Sequence, residues 1–287
     1  METKTKINWY PGHMVKAQKE IVEKLKLVDV CFELLDARIP MSSQNPSVSS
    51  LVKNKPRIIL LNKASLADPI KTNEWVNFFQ KKGIKAIPID ALNGINMKEI
   101  MIETKKVLAK KFEEDKKKGF RISTVRAMII GIPNVGKSTL INKLVSKNIA
   151  KTGDKPGVTK AQQWIKVNDE LELLDTPGIL WPKFDNDDIS YRLAVTGAIK
   201  DDILPLDEVC IYLFEFLDKK YKDNLLKRYG EMDYDINTIV TLFDAIGKKR
   251  GCITNGEIDY DKVSRLVLQD FRNQRLGRVT LDGCEEY

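Results

Sequence analysis

Hydrophobic positions in the first ninety residues alternate between two spacings. Residues 12–27 place an apolar side chain every three to four positions, which predicts an amphipathic helix. Residues 28–35, 57–61 and 86–89 are short, nearly continuous apolar runs, typical of strands buried on both faces. A helical pattern at residues 69–82 separates the last two runs. This alternation predicts a parallel α/β sheet.

The succession of strand and helix continues further along the chain and then stops. A long helix is predicted at residues 96–118, and a strand at residues 125–130 leads into a helix that begins at Lys137. Residues 162–167 and 171–174 predict a hairpin. Beyond these, only helical spacing remains. The four helices predicted in that region lie at residues 189–199, 206–220, 236–249 and 263–274.

This change in pattern divides the chain into two domains. Residues 1–185 are predicted to form an α/β domain, with an N-terminal extension at residues 1–27 and a charged connector at about 110–121. Residues 186–287 are predicted to form an all-helical domain. A length of 287 residues suits two domains better than one small core.

Composition narrows the class of protein. With 43% hydrophobic and 31% charged residues, the chain is globular rather than disordered. No apolar run approaches the roughly 20 residues of a membrane span, and the N-terminus lacks the apolar stretch of a secretory signal. The four cysteines are scattered, which favours free thiols in a reducing compartment. We therefore expect a cytoplasmic protein that acts as a monomer, without a membrane partner.

The basic residues are concentrated near the C-terminus. The net charge is +8, and residues 248–278 hold eight basic side chains against four acidic ones. Such an excess favours a polyanionic partner such as RNA, although a charged stretch can also be a solvated face. The RNA-contact candidates are Lys248, Lys249, Arg250, Arg265, Arg272, Arg275 and Arg278.

Residues 131–138, Gly-Ile-Pro-Asn-Val-Gly-Lys-Ser, match the phosphate-binding loop, or P-loop. Its glycines let successive backbone amides face phosphate oxygens, and the following helix adds its positive dipole end. Lys137 is then expected to reach the β- and γ-phosphates, and the Ser138 hydroxyl to ligate Mg²⁺. A strand before the loop and a helix after it disfavour a chance match.

Two later segments fit the same chemistry. Asp175 ends a predicted strand, where a second contact to Mg²⁺ is expected, and Gly178 can present its amide to the γ-phosphate. Between them and the P-loop, the turn at residues 156–159 carries Thr159, whose hydroxyl could close on the same metal. Each turn alone is weak evidence for a nucleotide site. Their position about twenty to forty residues after the P-loop is what favours a role in the same site.

A base-reading motif is predicted after the second strand. Residues 62–65 resemble the guanine-reading sequence Asn-Lys-x-Asp, with Ser65 in place of the aspartate. Asp90 and Ala91 resemble its companion loop, normally Ser-Ala, whose backbone amide meets the guanine oxygen. Losing a charged acceptor weakens base discrimination by about 1–3 kcal/mol, so an ATPase remains an alternative. The predicted nucleotide-binding residues are Asn62, Lys63, Ala64, Ser65, Asp90, Ala91, Asn134, Val135, Gly136, Lys137, Ser138, Thr139 and Gly178.

The order of the motifs points to a family. Base-reading motifs normally follow the P-loop, whereas here they precede it by about seventy residues, as after a circular permutation. Together with residues 9–14, 36–40, 45–46 and 156–159, this order makes nearly the whole chain resemble the ribosome biogenesis GTPase A (YlqF) family. The resemblance implies a circularly permuted P-loop GTPase fold. It also implies a bacterial cytoplasmic factor that binds the maturing large ribosomal subunit and hydrolyses GTP on it.

Catalysis is expected to need help from a partner. Ile179 occupies the position where many GTPases have a water-orienting glutamine, so turnover alone should be slow. Asn134 resembles the residue that holds K⁺ in related GTPases. His13, the only histidine, either orients water or contacts RNA. The catalytic candidates are thus His13, Lys137 and Gly178.

Two questions stay open at this level. The pair Asp36 and Arg38 either lies near the phosphates or RNA, or forms a buried pair that shapes the loop to Asn45. The favoured function is a GTPase that assembles the large ribosomal subunit, activated by the ribosomal particle and by K⁺. The main alternative is an RNA-binding assembly scaffold in which nucleotide is structural and turnover is negligible.

Overall fold

A six-stranded sheet forms the centre of the larger of two compact units. The computed structural model describes residues 19, 21–52, 54–119, 124–145, 164–176, 178, 180–181 and 186–287. The strand order is β3-β2-β1-β4-β6-β5, and all neighbours are parallel except β5 and β6. The elements of this unit are α1 (residues 21–24), β1 (Val30–Asp36), α2 (Pro46–Leu51), β2 (Arg57–Asn62), α3 (Pro69–Lys81), β3 (Lys85–Pro88), α4 (Met97–Val107), α5 (Ala109–Lys117), β4 (Val125–Gly131), α6 (Lys137–Val145), β5 (Trp164–Lys166) and β6 (Leu171–Asp175).

The central strands are buried on both faces, as their apolar runs predict. Every residue of β1 is buried, including the acidic Glu33. Burial raises the pKa of Glu33, and its carboxylate accepts hydrogen bonds from Ser49 at 2.6 Å and Arg57 at 3.0 Å. These contacts satisfy the one polar side chain in the middle of the strand.

Helix α3 shows how local sequence sets the bounds of an element. Asp68 precedes it and accepts hydrogen bonds from the backbone amides of Ile70 and Lys71. Pro69 occupies the first helical position, where its missing N–H costs nothing. The chain turns away at Gly83, whose φ of 72° lies in the left-handed region. The predicted helix at residues 69–82 is therefore confirmed.

The long helix predicted at residues 96–118 is divided. The structure has α4 and α5 on either side of Leu108, whose side chain is buried. Helix α5 has no buried residue, so its charged side chains are solvated. The hairpin predicted from residues 162–167 and 171–174 is present as β5 and β6, and residues 162–163 lie outside the described residues.

Described residues from 186 to 281 belong to a second, mainly helical unit. Helix α8 packs against its neighbours α7, α9 and α11 through buried apolar side chains, among them Leu213 and Phe214. A hairpin of two-residue strands interrupts the helical pattern, so the unit is not entirely helical. Its elements are α7 (Asp187–Val195), α8 (Leu206–Lys220), α9 (Lys222–Tyr229), α10 (Val240–Arg250), β7 (Ile253–Thr254), β8 (Glu257–Ile258) and α11 (Tyr260–Arg272).

The last six residues leave the helical unit and belong to the α/β unit. The backbone amide and hydroxyl of Ser42 donate to the Asp282 carboxylate at 2.8 and 2.6 Å. The indole N–H of Trp75 donates to the Asp282 carbonyl at 3.3 Å, and the Tyr287 ring lies 5.9 Å from the Trp75 ring. The helical domain predicted to run to residue 287 thus ends at Leu281 in the structure. We call residues 282–287 the C-terminal tail.

Within the described residues, no helix combines the length and the apolar character that a membrane crossing requires. All four cysteines are unpaired.

Candidate nucleotide-binding site

The predicted motifs converge at one edge of the sheet. Strands β1, β2, β4 and β6 are parallel, so their carboxyl ends, Asp36, Asn62, Gly131 and Asp175, lie along the same edge. After β1, the next strands β2 and β3 are added toward one edge of the sheet. After β4, the strands β5 and β6 are added toward the opposite edge. A reversal of this kind leaves a crevice at the carboxyl ends of the two central strands, where α/β proteins bind ligands.

The P-loop has the backbone geometry that phosphate binding requires. Asn134 and Gly136 both have positive φ, at 56° and 104°. A Cβ on Gly136 would collide with the side-chain amide of Asn62, and a Cβ on Gly131 would lie 2.7 Å from the Leu34 carbonyl oxygen. Glycine is therefore required at both positions by close packing of neighbouring segments.

An open cleft of about 560 Å³ lies over the P-loop. It brings together most of the residues predicted to meet phosphate or Mg²⁺. Val135 is buried and faces the core instead. His13, Thr159 and Ile179 lie outside the described residues. The cleft is lined by Pro133, Asn134, Gly136, Lys137, Ser138, Thr139, Asp175, Thr176 and Gly178.

The side chain of Lys137 bends back onto the P-loop, so that its ammonium contacts the start of that loop. Its ammonium donates to the carbonyl oxygens of Gly131 and Ile132 at 3.1 and 2.9 Å. Burial lowers the pKa of Lys137 to about 8, and the neighbouring Asp175 carboxylate opposes this shift. A cation held inside the loop is well placed to neutralise phosphate oxygens.

The metal expected beside the phosphates fits the residues in the cleft. Ser138 and Asp175 offer a hydroxyl and a carboxylate to the same space. Mg²⁺ prefers hard oxygen ligands, and in nucleotide sites it takes one or two from the protein and the rest from phosphate and water. Thr176 fixes the chain beyond Asp175, because its hydroxyl donates to the Ile129 carbonyl at 2.6 Å.

Asn62 joins three loops through one side chain. Its Nδ2 donates to the Val135 carbonyl of the P-loop at 2.8 Å, and its Oδ1 accepts from the Ala91 amide at 3.0 Å. The loop after β2 is further fixed by the Ala64 amide, which donates to the Ile89 carbonyl at 3.0 Å. The base-reading loops predicted from sequence are thus bonded to each other and to the P-loop.

Lys63 connects the P-loop to a buried carboxylate. Its ammonium donates to the Asn134 carbonyl at 3.0 Å and pairs with Asp36 at 2.9 Å. Asp36 also pairs with Arg38 at 2.7 Å, and both side chains are almost fully buried. Burial opposes the charge of Asp36, yet Arg38 and Lys63 hold its pKa well below the usual range. Of the two interpretations of the Asp36–Arg38 pair, the structure supports the buried one.

The contact of Asp36 with Lys63 was not predicted from sequence. The available signal was that both residues stand at the carboxyl ends of adjacent parallel strands, Asp36 in register with Asn62. Residues at such ends are close enough for a lysine to reach a carboxylate.

Ser65 and Asp90, the two departures from the guanine-reading pattern, are in contact. The Ser65 hydroxyl donates to the Asp90 carboxylate. Asn93 donates to the same carboxylate from its backbone amide at 2.9 Å and its side-chain amide at 2.8 Å. Burial opposes ionisation of Asp90, but the hydrogen bonds from Ser65 and Asn93 lower its pKa.

The basic candidates in the helical unit have different surroundings. Arg272 donates to the carbonyls of Ala194 and Val195 and pairs with Asp201 at 2.8 Å, so it stabilises the end of α7. Arg275 follows α11 and pairs with the buried Asp270 at 3.1 Å.

The remaining basic candidates are exposed. Arg265 lies on α11 and pairs with Asp261 one helical turn away. Lys249 and Arg250 donate to backbone carbonyls near the end of α9. Lys248 is exposed at the end of α10, and Arg278 is exposed after α11. The helical face predicted from Arg265, Arg272 and Arg275 is therefore not a single free stripe.

A central P-loop strand, a base-reading loop bonded to that P-loop, and a reversed chain order define a circularly permuted P-loop GTPase. A family model described as "50S ribosome-binding GTPase" matches residues 126–246. The chain is 52% identical to the ribosome biogenesis GTPase A of Bacillus pumilus, over 97% of this chain and 99% of that protein. It is 31% identical to the probable ribosome biogenesis GTPase A of Mycoplasma genitalium, over 98% of each.

The comparison with solved structures indicates the same family as the comparison of sequences. The GNP-bound YlqF from Thermotoga maritima matches with a TM-score of 0.65 and 28% identity, over 93% of this chain and 97% of that one. A GDP-bound structure of the same name has a TM-score of 0.68. The chain belongs to the ribosome biogenesis GTPase A family. It is a GTP-binding, GTP-hydrolysing protein of ribosome biogenesis, and GTPases of this class use Mg²⁺.

Proposed function

We propose that the protein assembles the large ribosomal subunit, that the ribosomal particle activates its GTP hydrolysis, and that hydrolysis governs its release. The observation that carries this proposal is the bond of Asn62 to the P-loop at Val135, because it joins the base-reading and phosphate-binding loops in one site. The name of the matching family model, a 50S ribosome-binding GTPase, supports the large subunit as partner. In this role the protein acts as a cytoplasmic monomer.

The P-loop side chains divide the work on the phosphates. Lys137 exchanges its two carbonyl contacts for β- and γ-phosphate oxygens, and Gly178 presents its amide to the γ-phosphate. The backbone of Gly178 lies close to the P-loop, since a Cβ on Gly178 would be 2.8 Å from the Pro133 nitrogen, and this closeness supports the role of Gly178. Ser138, Asp175 and Thr159 hold Mg²⁺, which supplies positive charge to the phosphates when bound.

Activation depends on groups beyond the P-loop. Ile179 cannot hydrogen-bond water, so the attacking water needs another orienting group. We assign this role to His13 and assign K⁺ binding to Asn134. Asn134 is exposed and lines the cleft, which supports the second assignment. A cation there would stabilise the charge that develops during phosphoryl transfer.

The helical unit is the proposed RNA-binding part. Exposed basic side chains are the best suited to phosphate, and these include Lys248, Lys249, Arg250, Arg265 and Arg278. Arg272 and Arg275 contribute less, because Asp201 and Asp270 already engage them.

Multiple-turnover phosphate release tests the enzymatic proposal. Purified immature large subunits should raise the rate at least about tenfold, and K⁺ should support a higher rate than Na⁺. Ser138→Ala and Asp175→Asn should abolish the stimulated rate. Asp169→Asn, on the exposed turn between β5 and β6, is the matched control and should leave it unchanged. A rate that no particle or cation raises, with subunit binding intact, would support the scaffold instead.

A pair of arginine substitutions tests the RNA-binding proposal. Arg265→Ala should weaken binding to large subunits and reduce its salt dependence by about one charge, without lowering the melting temperature. Arg272→Ala should instead lower the melting temperature, because it removes the contacts to α7. Equal effects of both variants on binding and stability would contradict the division made here.

A further inference from the structure

The residues at positions 65 and 90 depart from the guanine-reading pattern in opposite directions. Ser65 stands where the motif normally has aspartate, and Asp90 stands where the companion loop normally has serine. The two side chains are hydrogen-bonded to each other. The site has therefore kept a serine–aspartate pair and exchanged its members between the loops after β2 and β3.

We propose that Asp90 is the specificity-determining residue for guanine, replacing the aspartate missing at position 65. The proposal rests on the assignment of residues 62–65 and 90–91 to the base under the proposed function. In it, the Asp90 carboxylate accepts from guanine N1–H and the 2-amino group, while Ser65 holds the carboxylate in place. The reading carboxylate thus comes from the loop after β3.

Asp90 is fixed close to the other base-reading residue. Its neighbour Ala91 donates its backbone amide to Asn62, whose own amide is bonded to the P-loop. The Asp90 backbone exchanges hydrogen bonds with Ile95 at 3.0 and 3.2 Å, closing the loop that follows β3. A carboxylate so constrained needs little ordering when a base arrives.

The acceptor capacity of Asp90 suits a guanine edge. A carboxylate offers about four acceptor sites. The Ser65 hydroxyl, the Asn93 backbone amide and the Asn93 side-chain amide donate to that of Asp90, and a backbone hydrogen bond from Leu92 also lowers its pKa. Asn93 is exposed, so its side-chain amide is the contact that a base edge displaces. The guanine N1–H and 2-amino group would then donate to the carboxylate in place of the Asn93 side chain.

The same chemistry rejects adenine. Adenine has an acceptor at N1 and no 2-amino group, so a carboxylate facing that edge meets a lone pair rather than a donor. A buried ionised acceptor without a donor is costly. The absence of aspartate at position 65 therefore need not weaken selection of guanine over adenine.

Binding of GDP, xanthosine 5′-diphosphate and ADP to the full chain tests this assignment. Xanthine carries a carbonyl oxygen in place of the 2-amino group, and an asparagine amide can donate to it. Asp90→Asn should lower GDP affinity about 100-fold and raise xanthosine diphosphate affinity by a similar factor. Asp169→Asn, the same substitution at an exposed site, should change neither.

A double variant covers the case in which Asp90→Asn binds neither nucleotide. Ser65→Asp with Asp90→Ser returns the carboxylate to the usual loop and should restore selective GDP binding, whereas no binding there would overturn the proposal. An Asp90→Asn variant with unchanged selectivity between GDP and xanthosine diphosphate would also overturn it. If the wild-type protein bound ADP as tightly as GDP, the assignment of the base-reading loops themselves would fail.

Discussion

At the scale of single residues, the site depends on side chains that hold loops as well as on those that meet the nucleotide. Asp36 is buried and holds Lys63, which in turn reaches the P-loop carbonyl of Asn134. Asn62 joins the end of β2 to the P-loop and to the loop after β3 through one side-chain amide. Substitution of Asp36 or Asn62 should therefore disturb the P-loop without removing a side chain that itself contacts phosphate.

Lys137 should make nucleotide binding dependent on pH. Its pKa is about 8 because burial disfavours the charge, and phosphate oxygens would raise it. At pH 8 about half of the lysines must gain a proton on binding, so GDP binding should take up about 0.5 proton. Affinity should fall as pH rises above 8. Calorimetry at pH 7, 8 and 9 in buffers of different ionisation enthalpy measures this uptake.

The control for Lys137 is Lys166→Gln, at an exposed lysine on β5. This variant should show the same proton uptake as the wild-type protein. Uptake that stays constant from pH 7 to pH 9 would contradict the assignment, because the phosphates of GDP are already ionised through most of this range.

Asp36→Asn should destabilise the α/β unit. The substitution leaves Arg38 and Lys63 without their shared carboxylate, at a cost of about 3 kcal/mol in the free energy of unfolding at pH 7. The folded pKa of Asp36 is depressed below its ordinary value of 3.8, so its contribution is present above pH 4 and is lost as pH falls further. Denaturant unfolding of both proteins between pH 2.5 and 7 measures the difference.

The difference between wild type and Asp36→Asn should therefore shrink below pH 4. Asp169→Asn, whose side chain is 97% exposed, should cost little at any pH. A gap between wild type and Asp36→Asn that is constant with pH would show that shape, not charge, explains the loss.

At the scale of elements, strong periodicity was enough to predict structure and weak periodicity was not. The predicted helix at residues 206–220 is α8, and the buried runs are β1, β2 and β4. Helix α9 follows α8 after a single residue, and half of its eight residues are charged, so its apolar face is reduced to a few positions such as the buried Leu225 and Tyr229. The strands β7 and β8 are two residues long, too short to show any alternation.

The candidate site was predictable where it is built from contiguous motifs. The P-loop and the carboxyl-end position of the other motifs follow from strand–loop–helix patterns. The bonds from Lys63 to Asp36 and from Ser65 to Asp90 could not be predicted, because they depend on how separate loops approach each other. The contacts of Arg272 depend on tertiary packing in the same way.

Gly136→Ala should disable the P-loop. A Cβ would collide with the Asn62 amide, and alanine is also strained at a φ of 104°. We expect GDP affinity to fall at least about tenfold, since the loop that carries the phosphate contacts must shift. Nucleotide titration of the variant measures the loss.

The matched control is Gly119→Ala. Its φ of 78° carries similar backbone strain, but no atom of the described residues lies within 4 Å of the added Cβ. It should cost about 1 kcal/mol of stability and leave GDP affinity unchanged. Equal losses of affinity in both variants would show that general destabilisation, rather than the collision with Asn62, is responsible.

At the scale of the whole molecule, the described chain passes from the α/β unit into the helical unit and returns to the α/β unit after Leu281. The C-terminal tail then completes the α/β unit, with Asp282 accepting two hydrogen bonds from Ser42. The adjacent Ser43 hydroxyl accepts from the Asp36 amide at 3.0 Å. A short path of hydrogen bonds therefore runs from the tail through Asp36 to Lys63 and the P-loop.

Asp282→Ala should weaken both stability and nucleotide binding. It removes the acceptor for two buried donors of Ser42, which we expect to lower the free energy of unfolding by about 2 kcal/mol. GDP affinity should fall as well, because the loop that supports Asp36 loses its anchor. Thermal unfolding with and without GDP measures both effects.

Glu285→Gln is the control for this prediction, because Glu285 is exposed in the same tail. It should leave melting temperature and GDP affinity unchanged. A stable Asp282→Ala protein with normal GDP affinity would show that the tail is only attached to the α/β unit and does not support its site.

The location of the tail has a consequence for how the protein is made. Synthesis proceeds from the N-terminus, so residues 282–287 are added only after the whole helical unit. Ser42 and Trp75 are translated more than two hundred residues earlier and must wait for Asp282. The tail can support the nucleotide site only after the helical unit has been synthesised, so a translation product that stops within that unit would lack this support.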